Sequence, residues 1–247
     1  MSITERVAVG VSLMEVHVFE PAKPEAAPLI LLMYPRSGLD GFPQRIASMF
    51  ATEGYCVAIP DITHRQKPEI PIRDRKQFLR DAEIIDDIRA SIEFFRSDAL
   101  RKSTRVFIMG HCMGGRHAFL GASCIPEIAG AIAYYSADMF EAWGGSASPF
   151  DLLGNIKCPV IGFFGAKDRN PTPGDVDKIE ERLSANGIEH VFHRYPDVGH
   201  AFQQNAARSP EEQKAAADSS AKTIEFLRAV VARAANDGLS SFRLHRD

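Results

Sequence analysis

The sequence lacks most of the features that would assign it to a special class. Its longest apolar stretches, such as Leu29 to Tyr34, are far too short to cross a bilayer. The first residues, MSITERVAVG, have neither the basic start nor the continuous apolar run of a signal peptide, so the expected location is the cytoplasm. Cysteine is scarce: Cys56, Cys112, Cys124 and Cys158 are widely spaced, with no CxxC and no zinc-type pairing. That argues against a disulfide framework and a metal site, and in a reducing compartment it leaves thiols free. Neither charge dominates, with 29 Lys and Arg against 32 Asp and Glu. The chain therefore has no basic footprint for nucleic acid. Repeats and low-complexity segments are absent as well.

What remains is the composition of an ordinary soluble chain, 45% hydrophobic and 25% charged over 247 residues. It is long enough to bury a large core as one domain covering 1–247. Short apolar runs alternate with helical patterns, as in a mostly parallel sheet covered on both faces by helices. The runs are LILLMY (29–34), YCVAIP (55–60), RVFIMG (105–110), GAIAYY (130–135), PVIGFF (159–164) and HVFHRY (190–195). Several are apolar at every position, as expected of strands buried on both faces. Residues 5–11 and 14–19 read as an antiparallel N-terminal hairpin. Helices are expected over 42–52, 76–97, 175–186 and about 210–235. In the second, Phe78, Ile84, Ile85, Ile88, Ile92 and Phe95 form one stripe. The stretches 66–73 and 141–157 read as loops, and the tail after Asn236 as loosely held. Whether the loop 141–157, with Trp143, covers a pocket is left open by its sequence.

The chemistry concentrates at Gly110-His-Cys112-Met-Gly114-Gly115. A strand enters G-x-C-x-G and a helix carrying Ala118, Phe119 and Leu120 leaves it. This is the pattern of a nucleophile elbow, with cysteine in place of serine. The glycines permit a cramped strand-to-helix turn, and the helix N-terminus favours a thiolate. The Met113 N–H is then placed to stabilise an oxyanion. A bare G-x-C-x-G would also suit a small buried cysteine in a glycine-rich turn. The partners downstream favour catalysis: an acid and then a histidine follow later strands, in the required chain order. Asp168 ends Gly165-Ala-Lys-Asp168, just past a strand, and His200 lies in Pro196-Asp-Val-Gly-His200-Ala-Phe202. Asp197 is so close to His200 in sequence that it is better suited to shaping the loop. His111, His117, His190 and His193 read as structural or surface residues, and Cys56, Cys124 and Cys158 as inert.

With GHCMGG, GYCVAIPDITHRQ (54–66), GAKD168 and YPDVGH200AF in view, the chain resembles the dienelactone hydrolases (carboxymethylenebutenolidases) over about residues 5 to 232. The resemblance implies an α/β-hydrolase fold and hydrolysis through an acyl-enzyme thioester, without metal or organic cofactor. It also implies an oxyanion hole shared by Met113 and a backbone N–H after the strand at 29–34. By alignment that donor is Arg36, since Pro35 has no N–H. Two departures bear on the substrate. The family's glutamate after that strand is missing from Tyr34-Pro35-Arg36-Ser37. Where the dienelactone-cleaving members carry an arginine beyond the catalytic histidine, Gln204 stands here, and a neutral amide cannot replace a bidentate guanidinium. Candidates for substrate contact are Arg73, Arg75, Gln204, Tyr34 and Phe202, with Arg36 also in reach, although loop arginines equally read as solvated surface charges.

The expected function is hydrolysis of a small ester or lactone by Cys112, Asp168 and His200. The expected partner is thus a small molecule, with no nucleic acid and no membrane, and the protein is a monomer or homodimer. Two other classes stay open: a hydrolase-fold protein that only binds a ligand, and a redox sensor using Cys112.

Overall fold

The computed structural model describes residues 2–99, 101–103, 105–205 and 207–243, with side chains through residue 233. Among these, eight strands build one sheet: β1 (Ser2–Val9), β2 (Ser12–Phe19), β3 (Leu29–Met33), β4 (Cys56–Pro60), β5 (Val106–His111), β6 (Ile128–Tyr134), β7 (Val160–Gly165) and β8 (His190–Tyr195). Their order is β1-β2-β4-β3-β5-β6-β7-β8. The β1–β2 hairpin joins antiparallel to β4, and all pairings from β4 to β8 are parallel. The expected α/β architecture with its N-terminal antiparallel hairpin is therefore present. Every residue of β3, β4, β5 and β7 is buried, which accounts for their unbroken apolar sequences. The edge strands β1 and β8 alternate with exposed positions.

The helices are α1 (Gly41–Thr52), α2 (Asp81–Ser97), α3 (Met113–Cys124), α4 (Pro149–Leu152), α5 (Pro173–Ala185) and α6 (Pro210–Arg243). They cover both faces of the sheet. On β5, Ile108 and Ile88 of α2 pack against Gly121 of α3. The adjacent Phe107 packs with Phe226 of α6 around Gly130 of β6. Neighbouring strand residues point to opposite faces, so α2 and α3 share one face and α6 holds the other. Truncating a fully buried ring such as Phe107 in this core costs about 3–5 kcal/mol.

Several boundaries differ from those read in the sequence, each for a local reason. The hairpin turns at Gly10 and Val11, with Val9 opposite Ser12 and Gly10 at φ +58°, so both strands start earlier than expected. The second helix begins at Asp81 and not at residue 76. Residues Ile72–Phe78 form a 3₁₀ segment, Leu79 and Arg80 are extended, and Phe78 is exposed instead of joining the apolar stripe. The break is tertiary in origin: the Asp81 carboxylate opens the helix while holding Arg116 and the Trp143 N–H. Within 141–157 a Ser148–Asp151 capping box nucleates α4. Trp143 is buried, with the Arg116 guanidinium 3.7 Å from its ring centroid. The backbone of α6 continues to Arg243, past the expected end near 235. The looseness expected after Asn236 concerns side chains and a terminus outside the described residues.

In chain order β4 lies on one side of β3 and β5 on the other, so the strand order reverses there. The crevice beyond the carboxyl ends of such strands is where open α/β sheets place their sites.

Candidate active site

Cys112 follows β5 directly, with φ +56° and ψ −119°, a conformation non-glycine residues rarely adopt. Its neighbours make the turn possible. A Cβ at Gly110 would lie 2.0 Å from the Gly114 oxygen, and one at Gly114 would lie 2.0 Å from the Met33 oxygen. Side chains at either position would therefore push α3 away from the ends of β3 and β5. The Cys112 N–H donates to the Tyr134 carbonyl (3.0 Å), and its own carbonyl accepts from Ala137 (3.2 Å). The thiol is half-buried at the start of α3, where first-turn N–H groups have no intrahelical partner. The other cysteines differ: burial pushes Cys56 and Cys158 up to about 12 and raises Cys124, which keeps them protonated and unreactive.

The acid and the histidine come from adjacent loops that are joined along their backbones. The Ala166 N–H donates to Tyr195 (2.8 Å) and the Lys167 N–H to Val198 (3.0 Å). Gly165 allows this approach, since a Cβ there would lie 2.5 Å from the Val198 oxygen and 2.7 Å from that of Gly199. Asp168 is buried; its Oδ1 accepts from the Asn170 N–H (2.9 Å) and its Oδ2 from His200 Nδ1 (2.8 Å). This leaves His200 Nε2 as the ring nitrogen available to Cys112. Burial alone would lower the His200 pKa, but Asp168 and the nearby Cys112 sulfur outweigh it and raise it to about 10. The edge of the Tyr135 ring packs against the imidazole at 5.1 Å.

These residues open into a cleft of about 440 Å³. Arg36 and Met113 line it beside Cys112, with Ala137, Asp138, Lys167, Arg169 and Asn170 around them. A larger depression of about 680 Å³, between α2 and the turn after α3, holds Arg89, Glu93, Arg96 and Glu127 but no cysteine and no histidine.

The five candidates for substrate contact fare differently, and none lines the cleft. Arg75 is occupied by its own loop, donating to the Ile70 and Pro68 carbonyls and to the Thr63 hydroxyl. The Arg73 side chain is exposed beside Asp74, and its carbonyl accepts from the Arg36 guanidinium (3.0 Å). Tyr34 is buried and donates to Asp61 (3.2 Å). Phe202 is fully buried against Tyr135 and Tyr195. Gln204 reaches Ser37 at 3.5 Å.

Sequence reading missed Lys167, Arg169, Asn170 and Asp138. The first three flank Asp168 in chain order, and that proximity was a usable signal. Asp138 lies four residues past the end of β6, and Asp168 three past the end of β7. Burial would raise its pKa, but Lys76 (2.5 Å) and Asn170 (2.8 Å) lower it, so it stays ionised. Lys76 and Arg116 together fix this wall, with Arg116 donating to the carbonyls of Asp138 and Glu141. Because Trp143 packs on Arg116, the stretch after β6 is pinned to α3. Among the described residues no helix is long and apolar enough to cross a membrane.

Comparison with known proteins agrees with this fold. The model of the dienelactone hydrolase family matches residues 14–231. A Synechocystis protein provisionally named a carboxymethylenebutenolidase is 27% identical over 215 residues, covering 82% of this chain and 86% of its own. The carboxymethylenebutenolidase of Pseudomonas putida is 26% identical over 221 residues, 85% of this chain and 89% of its own. Among eight of the curated relatives the match spans 65% to 89% of their lengths. In structure, a provisionally named dienelactone hydrolase from Klebsiella pneumoniae superposes with a TM-score of 0.80 at 22% identity, covering 91% of this chain and 98% of that one.

Proposed function

This chain belongs to the dienelactone hydrolase family, and from that premise we propose that it hydrolyses a small ester or lactone with Cys112 as nucleophile, His200 as acid and base, and Asp168 as the orienting carboxylate. The observation that carries this reading is the His200–Asp168 hydrogen bond of 2.8 Å beside a strained Cys112 on the cleft wall. With Nδ1–H donated to Asp168, the imidazole presents Nε2 to the reaction. The raised His200 pKa favours the imidazolium at neutral pH.

The sulfur attacks the acyl carbon, and the carbonyl electrons move to oxygen, where the N–H groups of Met113 and Arg36 receive the charge. As the tetrahedral intermediate collapses, the C–O bond to the leaving alcohol breaks and its oxygen takes the Nε2 proton. A thioester on Cys112 remains; in a lactone the leaving alcohol stays attached to the acyl group. Nε2 then removes a proton from water, hydroxide adds to the thioester, and the sulfur departs as the acid product forms.

The test is hydrolysis of 4-nitrophenyl acetate and a lactone panel by wild type, Cys112→Ala and His200→Ala. We expect kcat to fall by about 10³-fold or more in each variant. Turnover surviving Cys112→Ala would sink the mechanism. Binding without turnover in wild type would leave a ligand-binding protein, and a reversible peroxide response at Cys112 in place of turnover would point to redox sensing.

A further inference from the structure

His111 ends β5 and immediately precedes Cys112. Its ring is 1% exposed, stacks on Tyr134 at 4.4 Å and meets the edge of Phe42 at 5.0 Å. Its Nε2 is hydrogen-bonded to Oε1 of Gln203, which is 7% exposed and lies three residues after His200. The Gln203 amide in turn donates to Ser220 Oγ (3.0 Å), and that hydroxyl donates to the Ala216 carbonyl (2.8 Å), both on α6.

The bonds of this chain run in one consistent direction when the Ser220 proton is donated to the Ala216 carbonyl. The one Ser220 proton goes to a carbonyl, so Ser220 must accept from Gln203. Turning the amide over would set two acceptors against each other there. Gln203 therefore offers its oxygen to His111, which must donate as a neutral Nε2–H imidazole. Burial supports that state, pushing the His111 pKa down to about 3, with only Gln203 opposing it.

The histidine loop needs such an anchor. Ala201, directly after His200, sits at φ +59°, a left-handed conformation that costs a non-glycine residue roughly 1 kcal/mol or more. The Asp168 bond fixes one nitrogen of the His200 ring, and the backbone bonds to Ala166 and Lys167 hold the loop only before the histidine. On the far side, Gln203 fastens it to the strand end that carries the nucleophile and to α6.

We propose that His111 and Gln203 are positioning residues: their buried hydrogen bond sets the distance between the nucleophile elbow and the His200 loop. The assignment rests on the Cys112–Asp168–His200 reading. A misplacement of about 1 Å between reacting groups can cost about a hundredfold in rate, so a tie between their two carrier segments acts on kcat.

The experiment measures steady-state hydrolysis of 4-nitrophenyl acetate by His111→Phe, Gln203→Met and the double variant, with melting temperatures alongside. His111→Phe keeps a ring to stack on Tyr134, and Gln203→Met keeps length. Each single variant is expected to lower kcat about tenfold with KM within about twofold. The double variant should be no slower than the worse single, because both substitutions break one link. The alkaline limb of kcat/KM should move to lower pH, since a loosened His200 loses part of its hold on both partners.

Ser103→Ala supplies the structural control. Ser103 is equally buried and donates to Ala27 (2.9 Å) before β5, at the opposite end of that strand. It should lower the melting temperature and leave kcat unchanged. The proposal is overturned if folded His111→Phe and Gln203→Met behave like Ser103→Ala, or if their effects on kcat multiply in the double variant. Should neither single variant fold, Ser220→Ala removes the outer acceptor of the chain: a kcat loss of about threefold supports the proposal, and an unchanged kcat and pH profile overturns it. Turnover that survives Cys112→Ala overturns the triad reading and this proposal together. Cys112-dependent turnover indifferent to His111 and Gln203 overturns only the proposal.

Discussion

The groups proposed to react and the rim of the cleft are built on different terms. Cys112, Asp168 and His200 are held through backbone contacts: glycines that admit α3 and the histidine loop, and main-chain hydrogen bonds to Tyr134, Tyr195 and Val198. The rim offers exposed side chains. Among the described residues Arg169 makes no ion pair, Arg36 meets only the Arg73 carbonyl, and Lys167 meets an exposed Asp197 at 3.6 Å. Backbone placement fixes the reaction type, whereas free side chains can change with the substrate at little cost to the fold. Family membership thus informs the chemistry more than the substrate.

The largest expected effect on this comparison comes from removing the support beneath one wall. Arg116→Met leaves Asp81 buried without its partner and should cost about 3–5 kcal/mol in urea denaturation. Arg116→Met with Asp81→Leu should recover part of that loss, because no unpaired charge remains. If the single variant lost less than about 1 kcal/mol, the wall would not depend on the pair.

Gly165→Ala strikes the placement of the reacting groups. Its methyl would lie within 2.7 Å of two carbonyl oxygens of the histidine loop, so the loop must move. We expect kcat to drop about a hundredfold with the protein still folded. An unchanged kcat would mean that His200 tolerates displacement, and the contrast with the rim would weaken.

These contrasts also explain what could be read from the sequence. Strands β3, β4, β5 and β7 were legible because burial on both faces demands apolar residues throughout. The elbow was legible because Gly110 and Gly114 are required sterically, and Asp168 and His200 because each follows a strand. The start of α2 was not, since periodicity runs through residues 76–80 and only the distant Arg116 and Trp143 reveal why Asp81 opens the helix. Arg75 illustrates a different failure: its charge suggested substrate, but three acceptors within its own loop region occupy it. The tie from His111 to Gln203 joins residues far apart in the chain, and no local pattern announces it.

The rim should respond weakly. Arg169→Gln is expected to change kcat on a neutral ester less than about threefold, and exposed charges of this kind contribute little to stability. A tenfold or larger loss of kcat would move Arg169 from the rim to the reacting groups.

The smallest effect distinguishes His200 from His111, the chain neighbour of Cys112, and it appears in stability against pH. His200 has its pKa raised from 6.5 to about 10, despite the opposing effect of burial, by Asp168 and Cys112. Its folded state binds the proton more tightly, so its contribution is complete below about pH 6.5 and is lost as pH rises toward 10. His111 has its pKa lowered from 6.5 to about 3 by burial. Its folded state resists protonation, so its contribution is present above pH 6.5 and is lost as pH falls toward 3. Urea titrations across this range should therefore give opposite slopes for the stability differences from wild type of His200→Asn and His111→Phe. Repeating the first comparison in a Cys112→Ala background isolates the Asp168 share, with the upper end of the window moved below 10. Slopes of the same sign would show that one imidazole is not in the state its surroundings dictate.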